Sequence, residues 1–150
     1  MLRKIYATIR KSIKNIKMYY VRKDIIKQCT LVGTSHGFRV TSKIRLLHGS
    51  VPKDVILQEH SEVFGTISSY NHGKVIMYPW SKLGHGSEIS CANHIEIGRD
   101  TAIATGVTII DHNNHPINPK DRRYMRHTPH HSMERSPMYA ANAPIIIGEN

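Results

Sequence analysis

Aliphatic residues recur every six positions through the middle of this 150-residue chain, and few folds accept that period. Val51, Leu57, Val63 and, twelve further on, Val75 share one phase. Leu83, Ile89 and Ile95 share a second, and Ile97, Ile103 and Ile109 a third, with a slip of two residues between the sets. A helix would repeat near 3.6 and a half-buried strand at two. A six-residue step instead suits a coil of three flat sheets, each hexapeptide supplying one strand and one corner. The aliphatics then point inward and stack on their equivalents one coil away, 18 residues on for three hexads. Each contributes about 1.5–3 kcal/mol on burial, so the expected core is a ladder. Glycine follows the aliphatic in Val32-Gly33, Leu83-Gly84, Ile97-Gly98 and Ile147-Gly148, where a corner requires tolerance of positive φ. A β-sandwich, the competing all-β reading, would alternate with period two and lack the six-residue phase.

The charge sits at one end. Of the formal net charge of +10, residues 1–27 hold nine basic residues and one acidic residue, Asp24, for +8. The remaining 123 residues hold 12 basic and 10 acidic residues, for +2. Within residues 2–20 the apolar positions Leu2, Ile5, Tyr6, Ile9, Ile13, Ile16 and Tyr20 recur mainly at steps of three and four, forming one stripe of a helix. Residues 1–27 are therefore expected as a basic amphipathic helix. Residues 28–150 are expected as the coiled domain, interrupted by a loop at 112–143. The helix either lies on an anionic membrane surface or packs its stripe on the body or on a neighbouring subunit. Nucleic acid is not an expected partner, because no aromatic platform or base-reading motif accompanies the charge.

No run approaches the roughly 18 apolar residues of a membrane-spanning helix, and the N-terminus lacks the apolar core and cleavage site of a secretory signal. Cys29 and Cys91 lie far apart without CxxC spacing, suggesting neither a zinc knuckle nor a disulfide framework. A reduced, cytoplasmic setting is the expectation, at the inner face of the membrane if the helix binds lipid.

Residues 95–118 read IEIGRDTAIATGVTIIDHNNHPIN, and the last eight residues are APIIIGEN. Four features come in order: Ile97-Gly98, the Ala104-x-Gly106-Val107 step, the His115-Pro116 turn, and the return at Pro144-Ile145-Ile146-Ile147-Gly148. Together they resemble the hexapeptide-repeat O-acetyltransferases, close to the maltose and galactoside acetyltransferases and the bacterial surface-polysaccharide acetyltransferases. The resemblance covers residues 83–150 well and the earlier coils only by their phase. It implies a mainly β, left-handed parallel β-helix of hexapeptide repeats, forming a homotrimer with active sites between subunits. It also implies acetyl-CoA as co-substrate, no metal, and acetyl transfer to a hydroxyl of a sugar or cell-envelope saccharide. Relatives continue past the return with coils that supply the acetyl-CoA groove and an oxyanion-stabilising N–H, so those contacts are expected beyond Asn150, in C-terminal coils missing from these residues.

In that family a histidine at the His-Pro turn is the general base, and His115 matches it. The chemistry agrees: a sugar hydroxyl attacks a thioester only as its proton is removed, and imidazole typically supplies about 10²–10⁴ in rate. His112 is the rival catalytic residue, since Asp111-His112 also resembles a motif of some polysaccharide acetyltransferases. Asp111 either orients an imidazole or serves a corner. Asn93 either hydrogen-bonds an acceptor hydroxyl or satisfies a corner. The loop carries His112, His115, His127, His130 and His131 with five cations, among them Arg122 and Arg123. These two arginines meet an acceptor or a partner carboxylate, or are merely solvated. His36, His48, His60 and His72, spaced by twelve, read as outward corner residues.

Two other functions compete. A zinc hydratase of the β-helical carbonic anhydrase kind would use His94, His112 and His115, although the gap between the last two departs from that family's spacing. A truncated, catalytically inactive β-helix scaffold or binding module would keep only the fold.

Overall fold

Residues 2–130 and 132–150 are described by the structure, a computed structural model. His131 and the side chain of Leu2, both singled out above, lie outside the described residues. The chain opens with α1 (Leu2–Gln28) and then winds. The first coil holds β1 (Thr30–Leu31), β2 (Gly37–Phe38) and β3 (Lys43–Leu47). The second holds β4 (Val55–Leu57), β5 (Glu62–Val63) and β6 (Thr66–Tyr70). The third holds β7 (Lys74–Met77), β8 (Lys82–Leu83) and β9 (Glu88–Cys91). The fourth holds β10 (His94–Ile97), β11 (Ala102–Ile103) and β12 (Thr108–Ile110), and β13 (Ile145–Ile147) opens another pass. Every pairing between these strands is parallel and joins a strand to its counterpart one coil away. The result is three sheets, β1-β4-β7-β10-β13, β2-β5-β8-β11 and β3-β6-β9-β12. This is a parallel β-solenoid of about four turns, and it excludes the sandwich.

The coil is longer than three hexads. Val55, Val75 and Ile95 stack in register at intervals of twenty residues, and Ile89 stacks on Ile109 at the same interval. The two-residue slip in the aliphatic phase is the cause. Strands β4, β7 and β10 of the first sheet each point two side chains inward, Val55 with Leu57, Val75 with Met77, and Ile95 with Ile97, and all six are fully buried. Six-residue steps run Met77, Leu83, Ile89, Ile95, and the next coil restarts two residues later at Ile97. The slip is thus one pleat of a strand, because alternate strand residues face the same side. Earlier coils are longer still, with Ile44 opposite Ile67 and Ile67 opposite Ile89. Val51, assigned above to the first phase, lies outside the stack. It precedes a 3-10 turn at Pro52–Asp54 and gives its N–H to Asp54 Oδ2 at 2.8 Å.

Two of the four aliphatic–glycine pairs, Leu83-Gly84 and Ile97-Gly98, need a different reason from the one the sequence suggested. A Cβ on Gly84 would sit 2.4 Å from the carbonyl oxygen of Ala104, and one on Gly98 would sit 2.5 Å from the carbonyl carbon of Gly148. These glycines exist because the neighbouring coil's backbone occupies the side-chain space. Of the four, Gly33 does take the left-handed region, at φ +93°, as do Gly86 and Gly106 and the corner residues His48, His60 and His72. His60, Trp80 and Asp100 take the left-handed conformation at one corner of successive coils, and the His60 and Trp80 rings stack with centroids 4.0 Å apart. His36 departs from the corner pattern: it stacks on Phe38, and its Nδ1 lies 3.3 Å from Ser61 Oγ.

The helix α1 docks by its last turns. Val21 and Ile25 pack on the core beside Ile44 of β3, and Cys29 follows them, its thiol pushed up to about 12 by burial. The stripe does not pack on the body. Ile5, Ile9, Ile13 and Ile16 are all about half exposed or more. No helix among the described residues is long and apolar enough to cross a membrane.

Candidate functional site

The fourth coil breaks open where β12 ends, and the chain returns to the solenoid only at β13. Backbone bonds close the base of this insertion. Asn113 N–H donates to Ala141 O, Ala143 N–H donates to Asp111 O, both at 3.0 Å, and His112 bridges Asn142 in antiparallel fashion. The insertion has internal structure. It contains α2 (Pro119–Arg126), capped by Asn118, whose side-chain oxygen accepts Lys120 N–H at 2.9 Å. Such a cap satisfies one of the free amides at a helix start, and proline is tolerated just inside it. Arg135 reaches back to the carbonyls of Thr128 and Arg126 at 3.0 Å each, and Asn71 Nδ2 donates to Ser136 Oγ, tying the loop to an earlier corner.

A cleft of about 360 Å³ lies at the foot of the loop, lined by Asp111, His112, Asn113, Asn142, Pro144 and Ile145 among others. Asp111 is buried and committed to the corner below it. Its Oδ1 accepts Ala92 N–H at 2.7 Å, and its Oδ2 accepts Asn93 N–H at 2.8 Å and the Cys91 thiol at 3.2 Å. Burial, followed by the Asp111 charge and its hydrogen bond, pushes the Cys91 thiol well above the ordinary range. That thiol is an inert core group rather than a nucleophile.

His112 is buried, and both its nitrogens are engaged. Asn114 N–H donates to Nδ1 at 3.1 Å, while Nε2 lies 2.9 Å from Ser90 Oγ. A backbone amide can only donate, so Nδ1 is the unprotonated nitrogen and the ring hydrogen sits on Nε2, directed at Ser90. Burial lowers the His112 pKa, against a smaller raising effect of the Asp111 charge, so the ring is neutral. The edge of Tyr70 meets it with centroids 5.9 Å apart. Ser90 is consequently not activated as a nucleophile, since the nitrogen facing it already carries a proton.

The other candidates sit around this cleft rather than in it. Asn93 donates from Nδ2 to Asn142 Oδ1 at 2.9 Å, so its amide ties the loop to the preceding coil. His115 lies on the exposed outgoing strip of the loop, just after Asn114 at positive φ, with its N–H on Asn113 O at 2.6 Å. Its ring has no hydrogen-bond partner among the described residues. Pro116 beside it lines a second cleft of about 440 Å³ with Asp121, Tyr124, Met125, Glu134 and Tyr139. Arg122 and Arg123 are exposed on α2, where they form a shallow basic surface with Arg126 and His127.

His94 is held by Glu96, Nε2 to Oε1 at 2.6 Å, and does not join His112 and His115. Among the described residues no three His, Cys, Asp or Glu side chains are grouped for a metal. Sequence reasoning missed Ser90 and Tyr70, both of which contact His112. The signal was the register: with coils of twenty residues, Ser90 stands opposite Ile110 and hence near His112, whereas an 18-residue coil separates them. Comparison of the chain with protein-family models, curated proteins and solved structures finds no match.

Proposed function

We propose that the chain is an acyltransferase of the left-handed, hexapeptide-repeat β-helix class. It would move an acetyl group from acetyl-CoA to a hydroxyl of a sugar or cell-envelope saccharide, with His115 as general base. The observation that carries this reading is the single large interruption of a three-sheet parallel solenoid, which presents His115-Pro116 at its exposed mouth. The six-residue steps Leu83, Ile89, Ile95 and Ile97, Ile103, Ile109 support the class, because three short strands per coil with tight corners form a narrow prism. Of the two histidines, His112 has its lone pair occupied by Asn114 N–H, while His115 keeps a ring available to an acceptor.

In the proposed chemistry His115 takes the hydroxyl proton as the oxygen attacks the thioester carbonyl. The same imidazolium then returns the proton to the departing sulfur as the carbon–sulfur bond breaks, leaving an acetyl ester and free CoA. Acetyl-CoA supplies the activated acyl group. His115 lies outside the Asp111–His112 cleft of its own chain, which favours a site completed by a second subunit, as in a homotrimer. In such an assembly Arg122 and Arg123 face an anionic part of the acceptor or a partner carboxylate, and Asn93 with Asp111 and His112 fixes the base of the loop.

The test is release of free CoA by the full-length protein from acetyl-CoA with a panel of hydroxylated and amino sugars. Release that depends on an acceptor, and falls about 10²–10⁴-fold in His115→Ala, is expected. Full activity in His115→Ala, or no release with any acceptor, would end the proposal.

A further inference from the structure

Among the described residues, Ile5, Ile9, Ile13 and Ile16 of the α1 stripe are about half exposed or more, and the helix geometry says which way they face. At about 100° per residue, Ile9, Ile13, Ile16 and Tyr20 centre roughly 140° around the helix from Met18, Val21 and Ile25. The latter set faces the solenoid: Val21 packs on the core and Ile25 is 1% exposed. The stripe therefore looks away from the molecule along a helix about 40 Å long. Arg3, Lys4, Arg10, Lys11, Lys14 and Lys17 occupy the remaining surface, and no acidic residue precedes Asp24. Asp24 itself accepts Gln28 Nε2 at 3.0 Å, so its carboxylate is already engaged.

We propose that α1 lies on an anionic phospholipid surface, with Ile5, Ile9, Ile13 and Ile16 buried among the acyl chains and the flanking cations on the headgroups. Charge decides between occupants. A second copy of the helix would cover the stripe but bring another +8 against the first, with no carboxylates at the flanks to offset it. A nucleic acid would satisfy the cations and leave the isoleucines in water. An anionic bilayer satisfies both faces. Arg10 and Lys17 lie at the borders of the stripe, where long stems reach headgroups while running along apolar surface, and Tyr6 and Tyr19 suit the same boundary. The solenoid stands on the opposite side of α1, clear of the lipid. The inference does not depend on acyl transfer.

The test is co-sedimentation of the full-length protein with vesicles of phosphatidylcholine alone or mixed with phosphatidylglycerol. Binding to the anionic vesicles only, weakening with salt, is the expected result. Arg10→Gln with Lys17→Gln should weaken it roughly 30-fold. Ile9→Ser with Ile13→Ser should abolish it while leaving thermal unfolding of the solenoid unchanged, because both side chains are exposed. Equal binding to neutral vesicles, no binding to anionic ones, or undiminished binding by the Ile9/Ile13 variant would overturn the proposal. A stripe variant that instead changed the oligomeric state without vesicles would assign the surface to a second copy, and tight RNA binding without vesicle binding would assign α1 to nucleic acid.

Discussion

At the scale of single residues, two neighbours in sequence have opposite fates. Asp111 and His112 are both buried, but Asp111 holds a corner and His112 holds the exit of the loop. Replacing Asp111 with Ala would strand the amides of Ala92 and Asn93. At about 1–3 kcal/mol for each unsatisfied buried donor, the variant should lose roughly 2–6 kcal/mol, with faster hydrogen exchange at both amides. His112 makes stability depend on pH. Because burial lowers its pKa in the folded chain, folding favours the neutral ring. That contribution is complete above the unfolded value of about 6.5 and is lost as pH falls from there through the folded value. Melting temperatures measured from neutral to mildly acidic pH should therefore drop more steeply in the wild type than in His112→Asn. Parallel curves would show that the ring does not carry the effect. The residue types at 111, 112 and 115 could be picked out from the motif, but their division of labour could not, because it depends on which nitrogen meets which amide.

At the scale of elements, the corners carry the specificity of the coil. Gly84 and Gly86 lie two residues apart and look alike in sequence, yet they are needed for unrelated reasons. Gly84 makes room for the carbonyl of Ala104, whereas Gly86 has open space around it and a φ of +68°. Gly84→Ala should cost about 3 kcal/mol or more, since backbone cannot rotate away as a side chain does. Gly86→Ala should cost only about 1–2 kcal/mol, the penalty of a left-handed alanine. Denaturant titration of both variants distinguishes the two causes, and equal losses would contradict the packing argument. The loop was legible as an insertion because aliphatic phase vanishes between Ile110 and Ile145. Its contents were less so: Asn118-Pro119 is a readable helix start, but the contacts Asn71–Ser136 and Asn93–Asn142 join residues 65 and 49 apart.

At the scale of the molecule, stability resides in the ladder of Leu57, Val63, Val75, Met77, Leu83, Ile89, Ile95 and Ile97, each with no exposed surface. Leu83→Ala or Ile95→Ala should cost about 2–5 kcal/mol, because rigid coils above and below cannot close the cavity. Ile147→Ala, at a half-buried rung, should cost clearly less, and urea unfolding compares the three. The sequence by itself determined the solenoid and the helix ahead of it. Both follow from local periodicity, one buried aliphatic per hexad and an apolar stripe at helical spacing, and a period survives without knowledge of distant contacts. Only the tertiary structure decided the twenty-residue coil, since a two-residue slip becomes a strand pleat only when neighbouring coils are in register. It alone also decided which face of α1 meets the body and which histidine has its lone pair engaged. Those depend on atoms brought together from separate coils, and spacing along the chain does not encode them.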